Sequence, residues 1–299
     1  MINADGAVLC LGVFDGVHRG HQALLAQARL KADELGLPLV AVTFDPHPMA
    51  VVGPRQAPVC LASLDHRIEL LRLAGADAVD VLDFDGAMAA LSPEEFIARE
   101  LVDRRRARAV VVGEDFRFGH RAAGSVATLA DAGGHLGFEV TGVPLMGDGT
   151  DRWSSTRARA MVTGGDVSGV VEVLGRAYAL DGVVVHGDHR GRELGFPTAN
   201  LAWSDDPAVP ADGVYAGWLL GEGGRLPAAV SVGTNPQFNG QERRVEAYVL
   251  DRDDLDLYGD AVRVEFIERL RGQQTFDGVA DLIQQMKLDV DRARTLLRA

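Results

Sequence analysis

Two histidines three residues apart, His18 and His21, sit in GVFDGVHRGHQALL (12–25), where an apolar run gives way through glycines to a helix-like pattern. Imidazoles at that spacing suit zinc, but no further Cys/His cluster with metal spacing follows. Glycines in a strand-to-helix turn let the backbone come close to a ligand. The helix beyond them offers free N–H groups and the positive end of its dipole. Histidines added to that place donate hydrogen bonds to phosphate oxygens. Nucleotidyl transfer uses such donors, because its catalysis is mostly positioning and charge stabilisation. From these residues alone, metal, phosphate and purely structural readings all stand.

A second stretch, VVVHGDHRGRELGFPTANL (183–201), is punctuated by Gly187, Gly191 and Gly195 and ends in Pro197-Thr-Ala-Asn200. It lacks the GKS or GKT of a P-loop and the GxGxxG of a dinucleotide site. A glycine-rich loop still folds over phosphates through its backbone N–H groups. Thr198 and Asn200 lie two apart, so on an extended segment they face the same way. A hydroxyl and an amide oxygen together suit Mg²⁺ and its waters. The plain alternative is a β-hairpin whose polar residues are solvated.

The elements that must position these residues differ between the two halves. AVLCLGVF (7–14), LPLVAVTF (37–44) and ARAVVVGEDF (107–116) read as buried strands, and ADAVDVLDF (76–84) as a further strand. Between them, helical patterns run to Gly36, from Ser63 to Gly75, and from Ser92, where Pro93 and Glu95 complete a capping box. Strands alternating with helices predict a parallel sheet with helices on both faces, and such sheets bind ligands outside the carboxyl ends of their strands. From about residue 180, short strands follow one another without helices, as in a small antiparallel barrel. In RRVEAYVL (243–250), Val245, Ala247 and Val249 share one face and Glu246 and Tyr248 the other. The pattern predicts a joining helix over 165–175 and a terminal amphipathic helix carrying Val279, Leu282, Ile283, Met286 and Val290 on or near one face.

A chain of 299 residues exceeds the usual span of one core. We place the domains at 1–165 and 166–299. The expected fold class is α/β plus all-β: a Rossmann-like parallel sheet, then an antiparallel β-barrel with a terminal helix. A net charge of −13 argues against a nucleic-acid backbone as main partner, but leaves room for nucleotides at a local site. Cys10 and Cys60 form no pair or metal spacing, and are expected as buried free thiols in a reducing cytosol. With no apolar run of membrane-spanning length and no signal-peptide pattern, the expectation is a soluble cytoplasmic protein without a membrane partner.

GVFDGVHRGH resembles the HxGH-type turn of nucleotidyltransferases, and specifically that of bacterial FAD synthetases. The resemblance continues in order through TFDPHP (43–48), GEDFRFG (113–119) and SSTRAR (154–159). It implies an FMN adenylyltransferase in which His18 and His21 contact ATP phosphates, within the turn that holds Gly12, Phe14, Asp15 and Gly20. It implies that Asp115, with Gly113 and Phe116, lies near the nucleotide and metal. It implies further that Ser154, Ser155, Thr156 and Arg159 form the phosphate-contacting motif, and that Asp45, Pro46 and His47 border the flavin pocket. Trp153 departs from the pattern, which more often has an aliphatic residue there.

The second half resembles the riboflavin kinase module, through the PTAN segment and then GVYAGW, SVGTNP, VEAYVLD, DLYG and FIERLR. That resemblance implies Thr198 and Asn200 as Mg·ATP ligands beside Pro197 and the glycine loop. It implies Glu246 as the base on the riboflavin 5′-hydroxyl, and Arg271 near the flavin. Together the halves are similar to bifunctional enzymes that phosphorylate riboflavin to FMN and adenylylate FMN to FAD, using ATP and Mg²⁺. Another HxGH nucleotidyltransferase would explain only the first half. A flavin-binding regulatory protein, or a chain with one active half, is the remaining alternative.

Overall fold

Ala7–Leu11 (β1) is apolar and buried at every position, as a strand covered on both faces must be. The computed structural model describes residues 6–53, 57–187, 196–203, 206–234, 243–252 and 254–298. Its compact units comprise residues up to Pro58 with Leu64–Ser155, and Val59–Ser63 with residues from Thr156 onward.

The first unit runs β1, α1 (Arg19–Leu35), β2 (Leu39–Asp45), α2 (Pro48–Val52), α3 (Leu64–Leu73), β3 (Ala78–Asp83), α4 (Gly86–Ala90), α5 (Pro93–Phe96, continuing as π-helix to Asp103), β4 (Ala107–Gly113), α6 (Val126–Leu136) and β5 (Glu139–Val143). The five strands form one sheet in the order β3-β2-β1-β4-β5, and every pairing is parallel. Strand order therefore reverses between β1 and β4. Such a switch point opens a crevice at the carboxyl ends of the strands. The Gly12–His21 turn leaves β1 there, and Gly113–Phe116 leaves β4. The capping box at Ser92 and Glu95 forms as expected. α1 stops at Gly36, which is left-handed at φ 65°. α6 and β5 were not anticipated in the sequence.

The second unit contains α7 (Ser155–Gly164, from Thr156), α8 (Val171–Leu174) and β6 (Tyr178–Val185). β7 (Ala199–Ala202), β8 (Gly213–Gly221), β9 (Gly224–Thr234), β10 (Arg243–Val249), β11 (Ala261–Arg271) and α9 (Val279–Leu297) follow. Its strands close into an antiparallel barrel in the order β10-β7-β6-β11-β8-β9. Val245, Ala247 and Val249 are buried while Glu246 and Tyr248 are only partly so. Their alternation matches the period of a one-sided strand.

Three expectations are corrected. The helix over 165–175 shrinks to the single turn of α8. Asp166 accepts the Gly169 N–H at 2.9 Å, a local bond that competes with helix formation, and Gly165 is left-handed at φ 84°. On α9 the buried stripe lies further along than expected: Val290, Ala293 and Leu297 pack against Val214, Ala216, Ala229 and Leu270, with Ile283 and Met286 partly covered. Val279 instead lies exposed before that contact begins. Cys10 is buried, but Cys60 is half-buried, because its backbone runs along the unit's surface. There the Cys60 N–H donates to Asp206 O, and the Ala208 N–H donates to Cys60 O, both at 2.8 Å. Ser63 stands directly before α3, where a cap was expected, and its hydroxyl also donates to Asp181.

α9 is also fastened by charge. Arg271 Nε and Nη2 reach Asp289 at 2.8–3.0 Å, and both side chains are largely buried. Asp289→Ala leaves the guanidinium without its counter-charge, which costs about 3–5 kcal/mol for a buried pair. Urea denaturation is expected to show that loss. An unchanged midpoint would mean that the apolar stripe alone holds the helix.

Candidate active sites

At the end of β1 the chain makes an unusual turn. Phe14, Gly16 and Val17 all have positive φ, at 54°, 75° and 37°. Two of these are side-chain-bearing residues in a region that costs of order 1–3 kcal/mol each. Phe14 and Val17 are buried, so packing on both holds the turn. It delivers His18 to the N-cap of α1, where Nδ1 accepts the His21 N–H at 3.3 Å. In the neutral ring that bond puts the proton on Nε2. The His18 and His21 rings stack at 3.6 Å, and the Phe14 ring meets His21 edge-on. Gly20 is required by this stack, since a Cβ there would lie 3.0 Å from the His18 ring.

His21 Nδ1 is shut off from solvent and has no hydrogen-bond partner. Burial first, and the neighbouring His18 second, push the His21 imidazole well below its ordinary pKa. The ring is thus neutral at pH 7. Among the described residues no group of three or more His, Cys, Asp or Glu is arranged to hold a metal ion. The two histidines lie in a phosphate-type setting at a helix N-terminus.

The other expected residues of the first site divide. Gly12 follows β1 directly, and Asp15 is buried, its carbonyl accepting from Ser155 Oγ at 2.8 Å. Ser154 precedes that contact, and Trp153 packs beside Arg19. Asp45 ends β2, Pro46 follows through a cis bond, and His47 Nδ1 caps α2 by accepting the Met49 N–H. Gly113 ends β4 and Asp115 is exposed just after it. Phe116 is turned toward the core, stacked on Phe118. Thr156 and Arg159 count with the second unit, where Arg159 Nε donates to Val59 O at 2.8 Å.

The second site is built on the barrel's outer face. Asn200 pairs directly with Glu246 across β7 and β10, and with Val185 across β7 and β6. Directly opposed residues point to the same side. Thr198 Oγ1 donates to Glu246 Oε2 at 3.2 Å, so hydroxyl and carboxylate already meet. A side chain at Gly187 would overlap the Asn200 amide and force it to move. A cavity of about 710 Å³ opens beside these groups, lined by His186, Gly187, Asn200, Trp203 and Arg244 among others. His186 also stacks on the exposed ring of Tyr258. Pro197 leads into Thr198, whereas Gly191 and Gly195 lie outside the described residues. Arg271 is engaged with Asp289, as described for α9.

Sequence reading missed three contributors. Ser231 sits opposite Glu246 on β9, and register alone reveals that. His186 lay in a quoted motif but carried no distinguishing signal. Arg67, in a stretch read as an ordinary amphipathic helix, is buried beneath the first site.

A stacked histidine pair at the switch point of a parallel sheet, with a separate hydroxyl–amide–carboxylate cluster on a barrel, suits a two-domain transferase of nucleotide chemistry. Residues 2–157 match the FAD synthetase family and residues 174–297 the riboflavin kinase family. The chain is 36% identical over 291 residues to a bifunctional riboflavin kinase/FMN adenylyltransferase of Escherichia coli strain K12, covering 97% of this chain and 92% of that one. A protein of the same description from Listeria monocytogenes is 36% identical over 290 residues, covering 96% and 91%. A crystal structure of a Streptococcus pneumoniae protein described as a macrolide-efflux protein aligns with a TM-score of 0.88 at 34% identity, covering 98% of this chain and 95% of that one. The chain belongs to the bifunctional riboflavin kinase/FMN adenylyltransferase family, with the FAD synthetase half first and the riboflavin kinase half second. Among the described residues no helix is long and apolar enough to cross a membrane.

The depressed His21 pKa has a pH signature. The folded ring stays neutral while the unfolded ring takes up a proton near its ordinary 6.5. Its share of stability is therefore complete above about pH 6.5 and is lost as pH falls below it. Thermal melts at pH 7.5 and 5.5 are expected to show a larger acid loss for the natural protein than for His21→Gln. Equal losses would mean that His21 is not held neutral by the fold.

Proposed function

We propose that the two sites divide the chemistry by residue as follows. Residues 166–299 transfer the γ-phosphoryl group of ATP to riboflavin. Residues 1–165 transfer AMP from a second ATP to FMN, releasing pyrophosphate. The functional boundary is drawn beyond α7 because the SSTRAR motif spans both compact units.

In the kinase half, Glu246 takes the proton from the riboflavin 5′-hydroxyl as that oxygen bonds to the γ-phosphorus and the bond to ADP breaks. Its exposed-face position and its hydrogen bond to Thr198 support this role. Thr198 and Asn200 present hard oxygen donors beside a carboxylate, a set that fits Mg²⁺ carried mainly by substrate phosphates. When bound, Mg²⁺ neutralises the charge that develops on the transferring phosphate. The cavity reached past Gly187 accommodates the nucleotide. Arg271 lies near the flavin, its guanidinium held in place by Asp289 on α9.

In the adenylyltransferase half, an FMN phosphate oxygen bonds to the α-phosphorus of ATP and the bond to pyrophosphate breaks. That phosphate is already ionised, so no protein base is required. His18 donates from Nε2 to a phosphate oxygen, and His21, neutral and with a buried unpartnered nitrogen, steadies the same charge without bringing one of its own. Gly12, Phe14, Asp15 and Gly20 hold the turn. Asp45, Pro46 and His47 border the flavin, Asp115 attends the nucleotide with Gly113, and Phe116 supports that loop from the core side. Ser154, Ser155, Thr156 and Arg159 complete the phosphate-binding motif. Free cysteines agree with a cytoplasmic location.

The carrying observation is the stacked, capping histidine pair at the strand switch point. Incubation with riboflavin, ATP and Mg²⁺, followed by separation of the flavins over time, tests the division. His21→Ala is expected to slow FAD formation by about 10²–10³ as an oxyanion-type donor, with FMN formation intact. Glu246→Gln is expected to abolish FMN formation while FAD still forms from supplied FMN. Equal loss of both steps in either folded variant would refute separate sites.

A further inference from the structure

Arg67 is almost wholly buried, on α3, and belongs to no motif of either reaction. Its Nη1 donates to Val13 O and Phe44 O, each at 3.1 Å, and lies 3.4 Å from Thr43 Oγ1. Its Nη2 lies 3.5 Å from Asp45 Oδ1. Thr43 Oγ1 in turn donates to Val13 O at 2.9 Å. One guanidinium thus ties the exit of β1 to the exit of β2. Val13 immediately precedes the left-handed turn that carries His18 and His21. Asp45 immediately precedes Pro46 and His47.

A buried guanidinium is costly unless it is paired and hydrogen-bonded. A core arginine serving only to fill space would be replaced without loss by an apolar residue of similar volume. Here Nη1 and Nη2 meet acceptors that belong to two different strand ends, while Nε stays buried without a partner. Those acceptors are main-chain carbonyls at the points where regular pairing stops and the site begins. We propose that Arg67 is a positioning residue for adenylyl transfer, setting the histidine turn and the Asp45–His47 bend at their working separation. The inference rests on assigning adenylyl transfer to the first site. It adds a residue that acts through others and touches neither substrate.

The two arms of the side chain predict two separable effects. Loss of the carbonyl arm displaces the histidine turn and lowers kcat. Loss of the carboxylate arm frees Asp45 and raises the KM for FMN. The test uses the full chain and measures both activities on each preparation, so that FMN formation reports folding of the second half. A thermal melt reports the first. Arg67→Met is expected to lower kcat/KM for FAD formation by about 10²-fold, as a displacement near 1 Å does, with FMN formation unchanged. Arg67→Lys keeps the charge but not the planar fork, and is expected to recover only part of kcat while the KM for FMN stays raised. Asp45→Asn is expected to raise the KM for FMN alone, and combining it with Arg67→Met adds nothing further to that KM, because the two groups form one coupled pair.

Full FAD formation by a folded Arg67→Met variant would overturn the proposal. Should Arg67→Met fail to fold, Arg67→Lys decides: wild-type kcat and KM there would assign Arg67 to folding alone and overturn it, whereas a raised KM for FMN with intact FMN formation supports it. His21→Ala, run alongside, separates the two levels. If His21→Ala forms FAD normally, the assignment of the first site fails and the proposal with it. If His21→Ala is impaired and Arg67→Met is not, the proposal alone fails.

Discussion

β1 is buried along its whole length and β2 up to Asp45, so no interior position of either strand can present a polar group to a ligand. The sheet's chemistry is thereby pushed to the strand ends, where backbone pairing stops and side chains reach open space. In the barrel the same physics gives the opposite result. β10 is buried on alternate positions only, so Glu246, with Asn200 opposite it on β7, stands in the middle of a strand while Val245 and Ala247 are buried. Burial decides in each half where a functional group is able to stand.

The strand-end arrangement also reconciles the acidic chain with anionic substrates. A net charge of −13 repels polyphosphate at long range, but the β1 turn offers the neutral His21 imidazole, the His18 ring and a helix N-terminus. Neutral donors with fixed orientation lose little to reorganisation when charge develops. The His18 cap starts the helix, sets its own proton position, and seats the His21 ring against it. Gly20 stays small so that the stack closes.

Much of this was legible in the sequence. Continuous apolar runs gave the buried strands, and alternation in RRVEAYVL separated Glu246 from the core positions. The histidine spacing and the PTAN segment pointed to both candidate sites. What escaped had a physical reason in each case. Arg67 looks like any charge on an amphipathic helix, and its acceptors at residues 13 and 44 are distant in sequence. Arg271 showed no sign that Asp289 would claim it, because the two meet only when α9 docks. The expected helix at 165–175 yielded to a side-chain turn at Asp166, an interaction of a few atoms that period counting does not see. Cys60 read as buried because its neighbours are apolar, yet its segment runs along a surface.

That Cys60 segment has a consequence for how the molecule comes apart. Val59–Ser63 is encoded within the first half of the chain but is part of the second compact unit, hydrogen-bonded to Asp206–Ala208 and Asp181. No single cut therefore separates the halves cleanly. A fragment beginning after α7 would expose the backbone groups of Asp206 and Ala208 that this borrowed strip satisfies. A fragment ending there would carry the strip with nothing to pair it. The family matches lie in series along the chain, yet one cut between them strands these five residues on the wrong fragment.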